Sequence, residues 1–331
     1  MSLIPFRPII TNPHLLTILG NFAVRRLDSE RFPVRERLYQ TDPDAQVLVH
    51  EHRPSGRAVG EIVMIHGLEG SSNAGYIRSM SQIALEHGFG VHRKNMRSCG
   101  GTESLCKTMY HAGLTADTLE VIRQIRAEHD RPVYLIGYSL GGNVALKLAG
   151  ELGENAAGLL DGVIAVSTPI DLAASVRKMS RRENWIYQSR FLSRLKERIR
   201  RRARSVPGVY DVARLDTCKS VYEFDDRITA PFFGFGTADN YYATQSSNQY
   251  LNAIRIPALL IQAKDDPLIP FEIYGHPAIR ENPHIRLVAA DHGGHLGFIS
   301  GRAPRFWVDR VVLEWLEEIR NKRSSHLVSS T

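Results

Sequence analysis

The sequence predicts an α/β protein, in which helices flank a mostly parallel, twisted sheet and a further group of helices is inserted as a cap. Short apolar runs alternate along the chain with segments of helical periodicity, which is the pattern of strand–helix–strand units. One interval between two such apolar runs is much longer than a crossover requires, so it must hold additional structure.

The individual elements follow from this periodicity. Seven short apolar segments are predicted to be strands: Val47–His50, Ile62–His66, Gly90–Lys94, Val133–Gly137, Val163–Ser167, Ala258–Ala263 and Ile285–Ala289. Helical spacing of apolar residues predicts helices at Tyr76–His87, Thr115–Glu128, Asn143–Leu152 and Arg305–Arg320.

The long interval separates Ser167 from Ala258 by about ninety residues, whereas a crossover needs roughly thirty. We therefore expect residues 171–245 to form a cap or lid over the C-terminal ends of the strands, where the sites of such sheets lie. The core then comprises residues 1–170 and 246–331, with residues 1–40 packed on it as an N-terminal extension.

Basic residues are concentrated in one part of this predicted cap. The whole chain of 331 residues has a net charge of +7, yet Arg177 to Arg204 alone holds twelve Lys or Arg and two Glu. A nucleic-acid-binding face normally spreads its basic residues over a domain, so no nucleic-acid partner is expected. Apolar residues recur in the same stretch at helical spacing, at Trp185, Leu192, Leu195 and Ile199.

Three interpretations of this cationic helix stay open. The first is a solvent-exposed face without further role, and the second is a peripheral contact with an anionic membrane through the Arg194–Arg204 segment. The third is a surface that steers an anionic substrate toward the site. On the membrane interpretation, binding to anionic vesicles should weaken when four arginines are neutralised together: Arg198, Arg200, Arg201 and Arg202.

Other features argue for a cytoplasmic protein without a cofactor. No run approaches the ~18 apolar residues of a membrane span, and two prolines and an arginine interrupt the first ten residues, unlike a signal peptide. The three cysteines lack the spacing of metal ligands, so we expect reduced thiols and no metal. Neither a phosphate-binding loop nor a dinucleotide fingerprint is present.

The most informative motif is Gly-Tyr-Ser-Leu-Gly at residues 137–141. It follows a predicted strand and precedes a predicted helix, which is the context of a nucleophile elbow. The helix N-terminus lies beside Ser139, and the glycines allow a tight turn where strand and helix pack closely. The motif therefore indicates a nucleophilic serine.

A serine hydroxyl becomes a useful nucleophile when a histidine takes its proton and an acid orients that histidine. Asp266 begins a turn after a strand, and His295 follows two glycines in a loop, so the order is Ser, Asp, His. Asp265 and Asp171 remain alternative acids, and His292 remains an alternative base.

Several stretches together resemble the α/β-hydrolase superfamily, and within it the YheT-like hydrolases. They are Asn12–Thr17, His66–Gly70, Asn95–Arg97, Gly137–Asn143, Asp265–Pro267 and Gly293–Phe298. The chain departs from the group at Arg97-Ser98, where the others usually have Arg-Gly.

The resemblance implies an α/β-hydrolase fold with Ser139 as nucleophile, Asp266 as orienting acid and His295 as base. It also implies that the backbone N–H groups of Leu68 and Leu140 form the oxyanion hole. We expect His66 to be a packing or loop-anchoring histidine and not the base. The expected activity is hydrolysis of small-molecule carboxylic esters, with hydrophobic or lipid-like acyl groups. The alternatives are thioester or amide cleavage, acyl transfer, or a binding protein with an idle site.

Overall fold

Eight strands form one sheet at the centre of the computed structural model, which describes residues 5–329 and the side chains up to residue 323. The strands are β1 (Arg35–Asp42), β2 (Ala45–His52), β3 (Glu61–Ile65), β4 (Gly90–Lys94), β5 (Val133–Tyr138), β6 (Gly162–Val166), β7 (Ala258–Ala263) and β8 (Ile285–Ala290). Their order is β1-β2-β4-β3-β5-β6-β7-β8; β2 runs antiparallel to both neighbours and all other pairs are parallel. The predicted α/β class is confirmed.

Helices cover both faces of the sheet. They are α1 (Pro13–Phe22), α2 (Gly75–Glu86), α3 (Ala116–Glu128), α4 (Leu140–Leu152), α5 (Leu172–Met179), α6 (Trp185–Ser205), α7 (Val221–Phe224), α8 (Ala230–Phe232), α9 (Ala238–Gln245), α10 (Pro277–Glu281) and α11 (Trp307–Ser329). Apolar residues of α2 and α11 fill the core on one face, and those of α3 and α4 fill the core on the other. No helix within residues 5–329 is long and apolar enough to cross a membrane.

The five central strands, β3 to β7, are buried at every residue. Parallel strands that are covered on both faces appear in the sequence as continuous apolar runs. For this reason the predicted limits of these five strands agree with the structure to within one residue at each end. Two predicted helices need correction. The helix predicted from Asn143 begins at Leu140, directly after the elbow, and the helix predicted at Arg305–Arg320 spans Trp307–Ser329.

Two elements near the N-terminus were not predicted. The first is β1, a charged strand that pairs with β2 at the edge of the sheet. The second is α1, which begins at Pro13 after the side chain of Asn12 caps the N–H of Leu15. Helix α1 lies within the predicted extension 1–40, whereas β1 runs past its predicted limit to Asp42. Residues 1–4 of the extension, like residues 330–331 of the predicted core, lie outside the described part.

The inserted segment between β6 and β7 carries helices α5 to α9. In α6, Leu192, Leu195 and Ile199 are buried as their spacing predicts, but Trp185 is 62% exposed. The interpretation of the cationic face as wholly solvent-exposed is wrong, because Arg198 and Arg202 are buried.

These two buried arginines have specific partners. Arg198 forms an ion pair with Glu69, and Arg202 donates to the backbone carbonyl of Glu103 and to the hydroxyl of Tyr210. Removing a buried arginine leaves its partner groups uncompensated, which destabilises the fold. Neutralising Arg198 and Arg202 together with their exposed neighbours therefore cannot serve as a specific test of membrane contact.

Candidate active site

Ser139 lies at the turn between β5 and α4 with φ 51° and ψ −120°. A residue other than glycine rarely adopts a positive φ, so the surrounding structure must hold this conformation. The backbone N–H of Ser139 donates to the carbonyl of Val166 on the neighbouring strand at 2.8 Å, which fixes the turn. The hydroxyl consequently projects beyond the C-terminal end of the sheet.

Two glycines allow the chain to approach this turn closely. A Cβ atom on Gly67 would lie 3.0 Å from the Cβ of Ser139, and one on Gly141 would lie 2.5 Å from the carbonyl oxygen of Ile65. Larger residues would therefore push the loop after β3, or helix α4, away from the serine. This agrees with the prediction that the elbow needs its glycines because strand and helix pack closely.

A chain of hydrogen bonds connects the predicted serine, histidine and acid. Ser139 Oγ lies 3.0 Å from His295 Nε2, and His295 Nδ1 lies 2.9 Å from Asp266 Oδ2. Asp266 is fully buried, whereas Ser139 and His295 are half-buried at the floor of a cleft. The structure thus brings together three residues that are far apart in the sequence.

The carboxylate of Asp266 is held on both of its oxygens. Oδ1 accepts the backbone N–H groups of Leu268 and Ile269 at 2.8 and 3.0 Å, and Oδ2 accepts from Gln262 Nε2 at 3.2 Å. The turn after β7 supplies these donors, so the carboxylate is oriented before any substrate arrives.

The alternative acids and base lie elsewhere. Asp265 accepts from the backbone N–H of Gly294 at 2.9 Å, and its carboxylate lies 3.1 Å from His292 Nδ1. The alternative acid Asp265 and the alternative base His292 therefore contact each other and not Ser139. Asp171 caps the start of α5 by accepting from the N–H of Ala174. None of these three side chains hydrogen-bonds to the Ser139–His295 pair among the described residues.

Two backbone N–H groups near Ser139 lack a hydrogen-bond partner among the described residues. They belong to Leu68 and Leu140. Leu140 is the first residue of α4, where backbone donors have no partner within the helix. These are the two groups that the resemblance implies for the oxyanion hole.

His66 anchors the loop that carries Leu68. Its Nε2 accepts the backbone N–H of Met96 at 3.1 Å, so its Nδ1 carries the proton and donates to the carbonyl of Gly67 at 2.8 Å. Burial lowers the pKa of His66 to about 4, which keeps the ring neutral. This contact pattern is the loop-anchoring role that the sequence analysis expects.

Sequence reasoning missed Thr17 on α1. Its Oγ1 accepts the backbone N–H of His295 at 2.8 Å and donates to the carbonyl of Pro13 at 2.7 Å. The helix packs against the histidine loop so closely that a Cβ on Gly20 would lie 2.6 Å from the Cα of Gly297. In the sequence, the Asn12–Thr17 stretch carries only the family resemblance, and nothing local indicates a role for Thr17.

The Arg97-Ser98 pair, at which the chain departs from the group, lies in the loop after β4. Ser98 adopts φ 64°, the left-handed conformation that glycine favours, and is fully buried. Arg97 forms a buried ion pair with Asp117 at 2.6 Å. This arginine is therefore a structural residue that ties the loop after β4 to α3.

Two spaces meet at Ser139 and His295. An open cleft of about 840 Å³ is bordered by α1, α6 and the loops after β3 and β4, and includes Ile18, Phe22, Tyr187, Arg190 and Arg194. A much smaller apolar pocket of about 90 Å³ lies on the other side of the serine, lined by Leu140, Leu172, Val176, Met179, Leu195 and Ile269. Ser139 and His295 therefore border both a large open cleft of mixed polarity and a small, mainly apolar pocket.

Known proteins resemble the chain in both sequence and structure. A family model for the alpha/beta hydrolase fold matches residues 61–302. The chain is 32% identical to "Putative esterase YheT" of Escherichia coli K12, with 95% of this chain and 92% of that protein aligned. It is 28% identical to "Phospholipase ABHD3" of Mus musculus, across 77% of this chain and 63% of that protein. The Pyrococcus furiosus esterase Pf2001 aligns with a TM-score of 0.58 at 16% identity, over 95% of this chain and 99% of that chain, which shows the shared fold.

Proposed function

Since the chain belongs to the alpha/beta hydrolase fold family and is YheT-like, we propose that it is a serine esterase acting through Ser139, His295 and Asp266. The observation that carries the proposal is the continuous hydrogen-bonded chain from Ser139 Oγ through His295 to Asp266, with separations of 3.0 and 2.9 Å. Sequence relatives named as an esterase and a phospholipase support ester hydrolysis as the reaction class.

The first half of the reaction forms an acyl-enzyme. Ser139 Oγ attacks the ester carbonyl carbon while His295 Nε2 accepts the hydroxyl proton. Asp266 stabilises the resulting imidazolium, and the N–H groups of Leu68 and Leu140 bind the negative oxygen of the tetrahedral intermediate. The intermediate then collapses: the bond to the alcohol breaks, and His295 donates its proton to the leaving oxygen.

The second half regenerates the enzyme. A water molecule attacks the acyl carbonyl carbon as His295 Nε2 accepts one of its protons. The same two N–H groups bind the second oxyanion, and collapse releases the carboxylic acid while the proton returns to Ser139 Oγ. The cycle uses only protein groups and water.

The two compartments suggest how an ester is oriented. The apolar pocket suits the acyl chain, because burying apolar surface there removes it from water. The open cleft then receives the alcohol part and admits water for the second step. Helices α5 and α6 contribute walls to these spaces, so we propose that residues 171–245 act as the cap of this site.

The proposal can be tested by labelling the purified protein with a fluorophosphonate probe, with Ser139→Ala as the matched control. Labelling of the wild type and its loss in the variant are expected, since the probe reacts with activated serines. A series of p-nitrophenyl esters from acetate to palmitate then measures the acyl preference, for which we expect a chain longer than acetate. Folded wild type that neither labels nor hydrolyses any ester would refute the proposal in favour of a binding protein.

Acyl transfer, thioester cleavage and amide cleavage can use the same three residues, because each proceeds through the same acyl-enzyme. Product analysis in the presence of a competing alcohol separates transfer from hydrolysis. Matched ester, thioester and amide substrates with one acyl group separate the leaving groups. We expect the carboxylic acid as the main product and the ester as the best substrate.

A further inference from the structure

Large apolar side chains are exposed on and just after α1 and at the start of α6, the two helices that border the catalytic cleft. We call this set the apolar rim; it comprises Leu15, Ile18, Leu19, Phe22, Val24, Trp185 and Ile186. Four of the seven lie on α1 at spacings of three, four and seven residues, so they form one stripe along the exposed side of the helix. Apolar stripes of this kind normally face a core, and contiguous exposed ones mark interaction sites.

The two parts of the rim belong to one surface because α1 and α6 are in contact. The ring of His14 stacks on that of Tyr187 with centroids 5.8 Å apart, and His14 Nδ1 lies 3.2 Å from the Tyr187 hydroxyl. The guanidinium of Arg190 lies 5.9 Å from the ring centroid of Phe22. Ile18 and Phe22 also line the cleft, so the rim continues into the catalytic site.

Positive charge without a carboxylate partner lies beside the rim. Arg190 and Arg194 are exposed in the cleft, and no described carboxylate lies within 4.0 Å of either guanidinium. Arg194 makes only a long hydrogen bond, 3.4 Å, to the carbonyl oxygen of Glu69. The carboxylates that line the cleft are already paired with other arginines, as Glu69–Arg198, Glu103–Arg201 and Glu197–Arg204.

We propose that the apolar rim, together with Arg190 and Arg194, docks the protein on an anionic lipid surface with the cleft opening toward the lipid. The apolar side chains would enter the boundary between headgroups and acyl chains, and the two arginines would face anionic headgroups. This surface differs from the Arg194–Arg204 segment that the sequence suggested, because two arginines of that segment are buried. Docking itself does not depend on the proposed function. Its consequence does: if the protein is an esterase, a lipid-like ester can reach Ser139 without leaving the lipid surface.

Vesicle binding tests the proposal with Ser139→Ala protein, so that turnover cannot alter the lipid. Phosphatidylcholine vesicles with and without phosphatidylglycerol are compared in a sedimentation assay. We expect Leu15→Glu/Leu19→Glu to weaken binding about tenfold or more, because both leucines are exposed and neither lines the cleft. The matched control is Val34→Glu/Leu38→Glu, which changes two exposed apolar residues away from the rim: Val34 directly precedes β1 and Leu38 lies within it. This variant should bind vesicles like the parent.

A second pair of variants tests the other element and the charge. Trp185→Ser/Ile186→Ser should also weaken vesicle binding, which keeps the test valid if substitutions in α1 disturb folding. Arg190→Gln/Arg194→Gln should abolish most of the additional binding that phosphatidylglycerol confers. Thermal unfolding of every variant confirms that the loss comes from the surface and not from the fold.

Three results would overturn the inference. The first is that the parent protein binds neither kind of vesicle, and the second is that the rim variants bind as well as the parent. The third is that the parent is a dimer without vesicle binding and that Leu15→Glu/Leu19→Glu converts it to a monomer. Light scattering on a sizing column detects the third. Hydrolysis of soluble p-nitrophenyl butyrate is measured in parallel, with Ser139 intact. Activity without vesicle binding would refute docking alone, and vesicle binding without activity would refute the esterase alone.

Discussion

Arg198 Nε lies 2.8 Å from Glu69 Oε1, in a buried ion pair that joins the inserted helix α6 to the loop beside Ser139. Glu69 follows Leu68 directly and adopts φ 53°. The hydroxyl of Tyr110 donates to Glu69 Oε1 at 2.9 Å and accepts the Glu69 N–H at 3.0 Å, while the Arg198 guanidinium lies 4.3 Å from the Tyr110 ring centroid. The inserted segment thereby holds the backbone next to a proposed oxyanion donor.

The first prediction concerns this ion pair. Glu69→Gln keeps the side chain's shape but leaves a buried Arg198 without its counter-charge, which costs about 3 kcal/mol of unfolding free energy. Displacement of the Leu68 N–H should also lower kcat about tenfold or more while KM changes little, because that donor acts mainly in the transition state. Urea unfolding and steady-state kinetics on a p-nitrophenyl ester measure the two effects.

The matched control is Arg200→Ala, which removes another arginine of α6, one that forms an exposed ion pair of 2.9 Å with Asp216. An exposed pair contributes less than about 1 kcal/mol, so stability and kcat should stay close to those of the wild type. An unchanged kcat in Glu69→Gln would contradict the positioning role, even if the protein were less stable.

The second prediction separates the two adjacent aspartates. Asp266→Asn should lower kcat about ten-thousandfold, because the amide no longer stabilises the imidazolium or the productive tautomer of His295. Asp265→Asn alters only the contacts with His292 and Gly294, so its kcat should remain within a few-fold of the wild-type value. Equal losses in the two variants would contradict the assignment of Asp266 as the orienting acid.

The third prediction concerns pH and Asp309, a buried residue at the start of α11. Burial raises its pKa to about 6, although Arg25 nearby and the 2.5 Å hydrogen bond from the Ser79 hydroxyl both act in the opposite direction. The unfolded chain loses this proton near its ordinary pKa of about 4. Between these values the folded state binds more protons, so this residue's contribution to stability falls as pH rises.

Asp309→Asn removes that titration while keeping an oxygen that can accept from Ser79. The unfolding free energy of the variant relative to the wild type should therefore rise from about pH 4 to pH 6 and then level off. A shift of about two pKa units corresponds to about 3 kcal/mol. Urea titrations of both proteins between pH 4 and 8 give the difference directly, and a difference that does not vary with pH would contradict the prediction.

The parts of the fold that sequence reasoning identified are those with a local signal. Strands β3 to β7 are covered on both faces, so their apolar runs are continuous. Ser139 lies in a short motif whose glycines are required by the close contacts within the turn, so the motif is visible in the sequence. The chain order of serine, acid and histidine then limits the candidates for the other two residues, and Asp266 and His295 satisfy it.

The missed features depend on contacts between distant parts of the chain. Helix α1 exposes one apolar stripe and buries Leu16, Thr17 and Gly20 on its other side, so it lacks the polar face by which a surface helix is recognised. In the sequence, Arg198 is indistinguishable from its solvent-exposed basic neighbours. The structure shows that it is buried beside Glu69, which lies 129 positions earlier in the chain. No periodicity within a window of eighteen residues encodes such a pairing.

The hydrogen bond between Thr17 and His295 joins residues 278 positions apart. In a chain growing on the ribosome, the nucleophile elbow is complete long before the histidine loop exists, and α1 lacks its contacts with that loop until the loop emerges. We therefore expect a nascent chain to remain catalytically inactive until the loop that carries His295 has been translated. Activity then begins when α1 and the loop that carries His295 come into contact.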